Sequence, residues 1–147
     1  MSKEQEDKAI AVRWIECFWG HGRDAKIIDE LAADNMILQF SSQPLRRGPA
    51  EAKAFFARFH EMFPDLEFHQ TGDLALDGEY VYGHLRGRGT HTGPAFLDYL
   101  VGFFPAHSGQ KINLAGTIAL RIKNGKIAEA TTRVSWVVPP RLLQAAT

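Results

Sequence analysis

The chain has 147 residues, with 17 lysine and arginine side chains against 17 aspartate and glutamate, a net charge of zero. That length makes one domain, residues 1–147, able to bury a core without a disulfide or metal staple. The lack of a positive excess argues against nucleic acid and membrane surfaces as partners. The zero hides a split. Residues 1–79 hold nine basic and 15 acidic side chains, net −6; residues 80–147 hold eight basic and two acidic, Asp98 and Glu129, net +6.

In chain order, Ala9, Ile10, Arg13, Trp14, Cys17 and Phe18 recur at helical spacing, and Gly20-His21-Gly22 stops the run. Cys17, the single cysteine, reads as a core position among Trp14, Phe18 and Trp19, because nothing cationic nearby would activate a thiolate. No apolar signal segment precedes this helix, so the expected compartment is the cytoplasm. A short second helix fits Asp24 to Ala33, and Met36 to Phe40 reads as a strand. Gly48-Pro49 opens a third helix, since proline's missing N–H goes unnoticed in a first turn. Its apolar face is Ala52, Phe55, Phe56, Phe59, Met62 and Phe63, and Pro64 ends it.

After Pro64 the period changes to two. Leu66, Phe68, Leu74 and Leu76 predict a strand, Asp77-Gly78 a hairpin turn, and Tyr80 to Thr92 the return strand. Phe96 to Phe104 is an apolar, aromatic stretch, too short to span a bilayer and interrupted by Asp98. Lys111 to Lys123 and Lys126 to Val138 predict two more long strands around the strongest hairpin signal, Asn124-Gly125; Pro139-Pro140 ends the last. Three helices followed by long antiparallel strands make an α+β fold. A curved sheet over helices would leave a concave site of the kind small ligands use.

The return strand, Gly83-His84-Leu85-Arg86-Gly87-Arg88-Gly89-Thr90-His91, concentrates the candidate chemistry. Its glycines leave volume on one face, either as ligand space or as relief for curvature. His91 and Gly89 share one parity; His84, Arg86 and Arg88 share the other. A histidine facing an apolar cavity has the right basicity for acid/base work; the alternative is a histidine bonded to backbone for structure. No histidines show zinc-site spacing, and there is no nucleophile elbow, phosphate loop or dinucleotide fingerprint. No metal and no cofactor are expected.

Four stretches then resemble one family. They are Arg47-Gly48 leading to Phe63-Pro64-Asp65-Leu66-Glu67-Phe68; Asp77-Gly78 leading to Gly89-Thr90-His91-Thr92-Gly93; Asn124-Gly125-Lys126-Ile127-Ala128-Glu129; and the tail around Leu142-Leu143-Gln144. The chain resembles the SnoaL-like polyketide cyclases, or ester cyclases, of the nuclear transport factor 2-like fold. The resemblance implies a cone-shaped barrel, a curved mixed or antiparallel sheet wrapped over about three N-terminal helices, with an apolar pocket and no cofactor. It also implies intramolecular aldol chemistry driven by an aspartate on the last strand and a histidine after the central one. The base removes a proton beside a carbonyl and a donor steadies the enolate.

Carried over, the histidine falls on His91 and the aspartate on Ser135, counted from Gly125; Thr131 to Ser135 contain no carboxylate. The expected catalytic group is therefore His91 with Ser135 and Arg133, the base being His91 or His84, or Asp98 reaching in from its apolar segment. Asn35, His84, Arg86, Asp98, Trp14 and Phe59 are the expected pocket residues. The expected function is a cofactor-free acid/base enzyme on a small apolar carbonyl compound; the alternatives are a non-catalytic binding domain for such a ligand and a protein-interaction module. A homodimer through the outer sheet face is expected.

Overall fold

The computed structural model describes residues 2–137. Helix α1, Lys3–Trp14, starts on a reciprocal cap: Ser2 Oγ accepts the Gln5 amide at 3.2 Å, and Gln5 Oε1 accepts the Ser2 amide at 3.1 Å. The expected single helix then widens into a π-helical turn over Ile15–Trp19. Helix α2 is Lys26–Leu31, shorter than expected. Helix α3, Gly48–Met62, carries proline in its first turn and buries Ala52, Phe55, Phe56, Phe59 and Met62, as its apolar spacing requires. No helix among the described residues is long and apolar enough to cross a membrane.

One six-stranded sheet runs in the order β2-β1-β8-β7-β4-β3, with β1 Ala32–Phe40, β2 Arg46–Arg47, β3 Glu67–Asp77, β4 Tyr80–Thr90, β7 Lys111–Lys123 and β8 Lys126–Trp136. Strands β1 and β8 are parallel and the other pairs antiparallel, so the sheet is mixed. It curves over the helices without closing, with β2 and β3 as free edges. Both predicted hairpins form. Tyr80 pairs with Asp77 across Gly78 and Glu79. Lys123 pairs with Lys126 across Asn124 and Gly125, both at positive φ as a type I′ turn demands. The tail motif at Leu142-Leu143-Gln144 and the Pro139-Pro140 stop lie outside the described residues.

The expected apolar stretch is a separate hairpin, β5 Phe96–Asp98 and β6 Gly102–Phe104. It lies across the end of the sheet–helix core. At the centre of that core Trp19 meets Phe55, Phe59 and Phe68 edge to face, and Phe40 meets Phe59 likewise. Phe63, Phe96 and Phe104 continue the aromatic cluster to the hairpin.

Candidate functional site

Strand parity sorts the candidate residues. On β4, Val81, Gly83, Leu85 and Gly87 turn inward, while His84 and Arg88 are exposed and Arg86 half-buried on the outer face. The glycine volume is not ligand space. A Cβ on Gly83 would meet Leu74 at 2.6 Å, one on Gly87 the Phe68 ring at 2.5 Å, and one on Gly89 the Leu66 backbone at 2.6 Å. Side chains and backbone from β3 and its approach occupy the room the glycines leave.

His91 is fully buried, stacked at angles on Phe63 and Phe104 with ring centroids 5.2 and 5.3 Å away. Both its nitrogens are engaged. Nε2 donates to the Pro94 carbonyl at 2.6 Å, and Nδ1 is hydrogen-bonded to the Ser108 hydroxyl at 2.8 Å. Its amide and carbonyl are tied to Gln110 and Gly109. The ring therefore staples the loops on either side of the hairpin.

Ser135 and Arg133 do not join it. Both are exposed on the outer face, paired with Ala115 and Thr117 of β7. The cause is a β-bulge. Ile122 pairs with Ile127 but its neighbour Arg121 pairs with Glu129, so Ala128 is an extra residue that inverts the parity counted from Gly125. Beyond the bulge the inward residues are Ala130, Thr132 and Val134, and Thr132 is the single polar one. Among the described residues no carboxylate points inward from β8.

Asp98 is 1% exposed, but it is not aimed at a ligand. Its Oδ1 accepts the Ser41 hydroxyl at 2.7 Å and the amides of Leu100 and Val101 at 2.8 and 3.0 Å. Its Oδ2 accepts the Ser42 amide at 3.1 Å and Gln43 Nε2 at 3.0 Å. Burial alone would raise its pKa, but donation from Gln43, Ser41, the Leu100 amide and Ser42 outweighs burial and holds the carboxyl at about 2. Such a group is a poor base near pH 7. Its role is to latch the β5–β6 hairpin to the loop after β1, helped by Gln43 on the Leu97 carbonyl and by the Trp136 indole on the Val101 carbonyl. Ser41, Ser42, Gln43 and Ser108 were not foreseen, since loop polar residues carry no periodic signal.

Asn35 is exposed in an irregular stretch of β1 and lines a surface groove with Asp29, Arg121 and Lys123, away from the interior. Trp14 is buried under α1 and stacks on Phe18 at 4.8 Å; it packs the helical layer. Phe59 does line the interior. With Phe40, Phe63, Leu66, Phe96, Val101, Ile112 and Leu114 it surrounds a packing gap too tight to admit water. His60 also serves packing. Burial pushes its pKa down to about 4, against the bond its Nε2 donates to the Phe18 carbonyl at 2.9 Å, with Arg23 adding to the depression. Cys17 is half-buried, and burial together with Glu16 pushes its thiol pKa up, away from reactivity.

Outside the core, a groove of about 410 Å³ runs over the outer sheet face between Tyr82, His84, Thr117, Thr131 and Arg133. A cleft of about 500 Å³ separates α1 from the edge strand β3, lined by Val12, His21, Glu67, His69 and Arg88 among others. No group of three or more histidine, cysteine or acidic side chains among the described residues is placed to hold a metal ion.

A family model described as SnoaL-like polyketide cyclase matches residues 9–134. Among solved structures, a Jannaschia sp. CCS1 protein classed as a SnoaL-like polyketide cyclase is 22% identical. It superposes at a TM-score of 0.74, covering 97% of this chain and 90% of its own. A Xanthomonas campestris protein classed as a polyketide cyclase is 16% identical, at a TM-score of 0.71 and 98% coverage of both chains. A Catenulispora acidiphila protein with a ketosteroid isomerase-like fold, solved with trimethylamine, is 14% identical, at a TM-score of 0.67 over 86% of this chain and 85% of that one. No curated protein matches in sequence.

Proposed function

Since this chain belongs to the SnoaL-like polyketide cyclase family, we propose that it is a ligand-binding member, taking a small apolar carbonyl compound between α3, β7 and the β5–β6 hairpin. The observation that carries this reading is the lining of the interior. Eight apolar side chains surround the enclosed space, and no carboxylate reaches it among the described residues. Aldol ring closure needs a base of tuned pKa and a donor at the enolate. Here Asp98 is spent on the hairpin, and Ser135 and Arg133 face outward.

The packed interior leaves no room even for a water molecule, against the roughly 300 Å³ of a small-molecule pocket, so the hairpin lifts to admit the ligand. A second reading, a cofactor-free acid/base enzyme, has one observation in its favour. The acceptor of His91 Nε2 is the Pro94 carbonyl at the root of the hairpin, so lifting the hairpin frees that nitrogen beside the cavity.

Exchange of the α-protons of 2-acetylnaphthalene for deuterium separates the two readings. The binding reading expects saturable quenching of tryptophan fluorescence with exchange at the buffer rate. Faster exchange that is lost in His91→Gln would establish the enzyme reading instead. Absence of any saturable binding would overturn both.

A further inference from the structure

Strand register builds the groove on the outer face of the sheet. The outward residues of β7, Ala115, Thr117 and Ala119, are short, whereas β4 on one flank presents Tyr82, His84 and Arg86. On the other flank β8 presents Thr131, Arg133 and Ser135. Two strand spacings set the β4 and β8 backbones about 10 Å apart. The trough between them has a volume of about 410 Å³, within the range of small-molecule pockets.

Its chemistry changes from apolar to cationic along the strands. At one end Tyr82, Ala119 and Thr131 share a row, and the Tyr82 ring, 42% exposed, stacks on Tyr80 at 5.8 Å. At the other, His84, Thr117 and Arg133 share a row, and Arg86 stands in the next one with Ala115 and Ser135. Neither Arg86 nor Arg133 makes an ion pair among the described residues. The Arg86 Nε is buried without a hydrogen-bond partner, and a buried donor of that kind marks the place of a missing acceptor. Asp73, the acid on the lining, stands on β3, three strands away from Arg133.

We infer that this groove is a second ligand site, for a small aromatic carboxylate. The ring lies along Tyr82 over the short residues of β7. The carboxylate accepts from the Arg133 and Arg86 guanidiniums, with His84 and the Thr117 hydroxyl beside it. Charge selects that occupant. A neutral molecule would leave the guanidiniums unpaired, and a second copy packed face to face would set guanidinium against guanidinium. Charge also keeps a carboxylate out of the apolar interior, where it would lose its water and find no donor. The groove is therefore a different site from the one proposed for the carbonyl compound, and it stands or falls independently of that reading.

Titration with 2-naphthoate, followed by amide NMR, tests the inference. The expected result is saturable shifts at Tyr82, His84, Thr117 and Thr131, with none at Phe59, Phe63 or Leu114. Arg133→Gln should weaken binding about tenfold, and 2-naphthamide, which has the shape without the charge, should bind about tenfold more weakly to the unaltered chain. Ala119→Leu, which fills the floor and leaves every charge in place, should abolish binding. Equal affinity for the acid and the amide would overturn the inference, as would an Arg133→Gln variant that binds like the unaltered chain. So would shifts confined to the interior, or no saturable binding at millimolar 2-naphthoate. Groove amides that shift with protein concentration alone would assign the face to a second copy and overturn it as well.

Discussion

On β4, β7 and β8 the inner and outer faces of the sheet come from the same three strands and differ in almost every chemical respect. Inward stand Val81, Leu85, Ile112, Leu114, Ile118, Ala130 and Val134, all buried. Outward stand His84, Arg86, Arg88, Thr117, Arg133 and Ser135. The difference teaches that a residue's type decides little until its parity is known. The polar groups that look catalytic in the sequence lie on the opposite side from the apolar core between sheet and helices. The end of that core is covered by a hairpin whose one acid is used as a fastener.

The largest effect that sharpens this contrast is expected at the fastener. Asp98→Ala leaves five donors without their acceptor and should cost about 3–5 kcal/mol in denaturant unfolding. Hydrogen exchange should also accelerate at Leu100 and Val101. Wild-type stability would break the claim that the hairpin is latched.

Next comes the inner face itself. Gly89→Ala drives a methyl into the Leu66 backbone and should cost about 2–3 kcal/mol. Gly83→Ala clashes with the Leu74 methyl at the end of a flexible side chain, with an Ile118 methyl at ordinary contact distance, and should cost less.

Acid comes third. His60 titrates at about 4 in the fold against 6.5 when unfolded, so between those values the unfolded chain binds the proton first. Stability should therefore fall by about 2 kcal/mol as pH drops from 6.5 to 4. His60→Gln should flatten that limb. The depressed Asp98 acts lower, its contribution being lost as pH falls from 3.8 toward 2. The smallest effect belongs to the outer face, where Arg133→Ala or His84→Ala should change stability by less than about 0.5 kcal/mol.

Much of the fold is legible in the chain. Pro49 and the phenylalanine spacing give α3, and Asp77-Gly78 and Asn124-Gly125 give both long hairpins with the pairing next to their turns. The outward parity of His84 and Arg86 on β4 also follows from counting by twos, whereas His91 lies past the strand's end at Thr90. What the count missed has one physical cause at each place. A bulge at Ala128 is a backbone event that no side-chain pattern announces, and it turned Ser135 and Arg133 outward. The parallel pairing of β1 with β8 is a long-range contact, and it extends β1 back to Ala32, beyond the apolar run that begins at Met36. Asp98 stood out in sequence as the lone acid of an apolar stretch, but its partners at 41–43 are more than 50 residues away. Distance in sequence made a latch look like a candidate base.

Mapping by amide and methyl NMR of where 2-acetylnaphthalene binds tests the central claim most directly. Shifts are expected at Phe59, Phe63, Phe96, Val101 and Leu114, spreading to the hairpin amides as it lifts. Shifts confined to His84, Thr117, Thr131 and Arg133 would contradict it and move the ligand site to the outer face of the sheet.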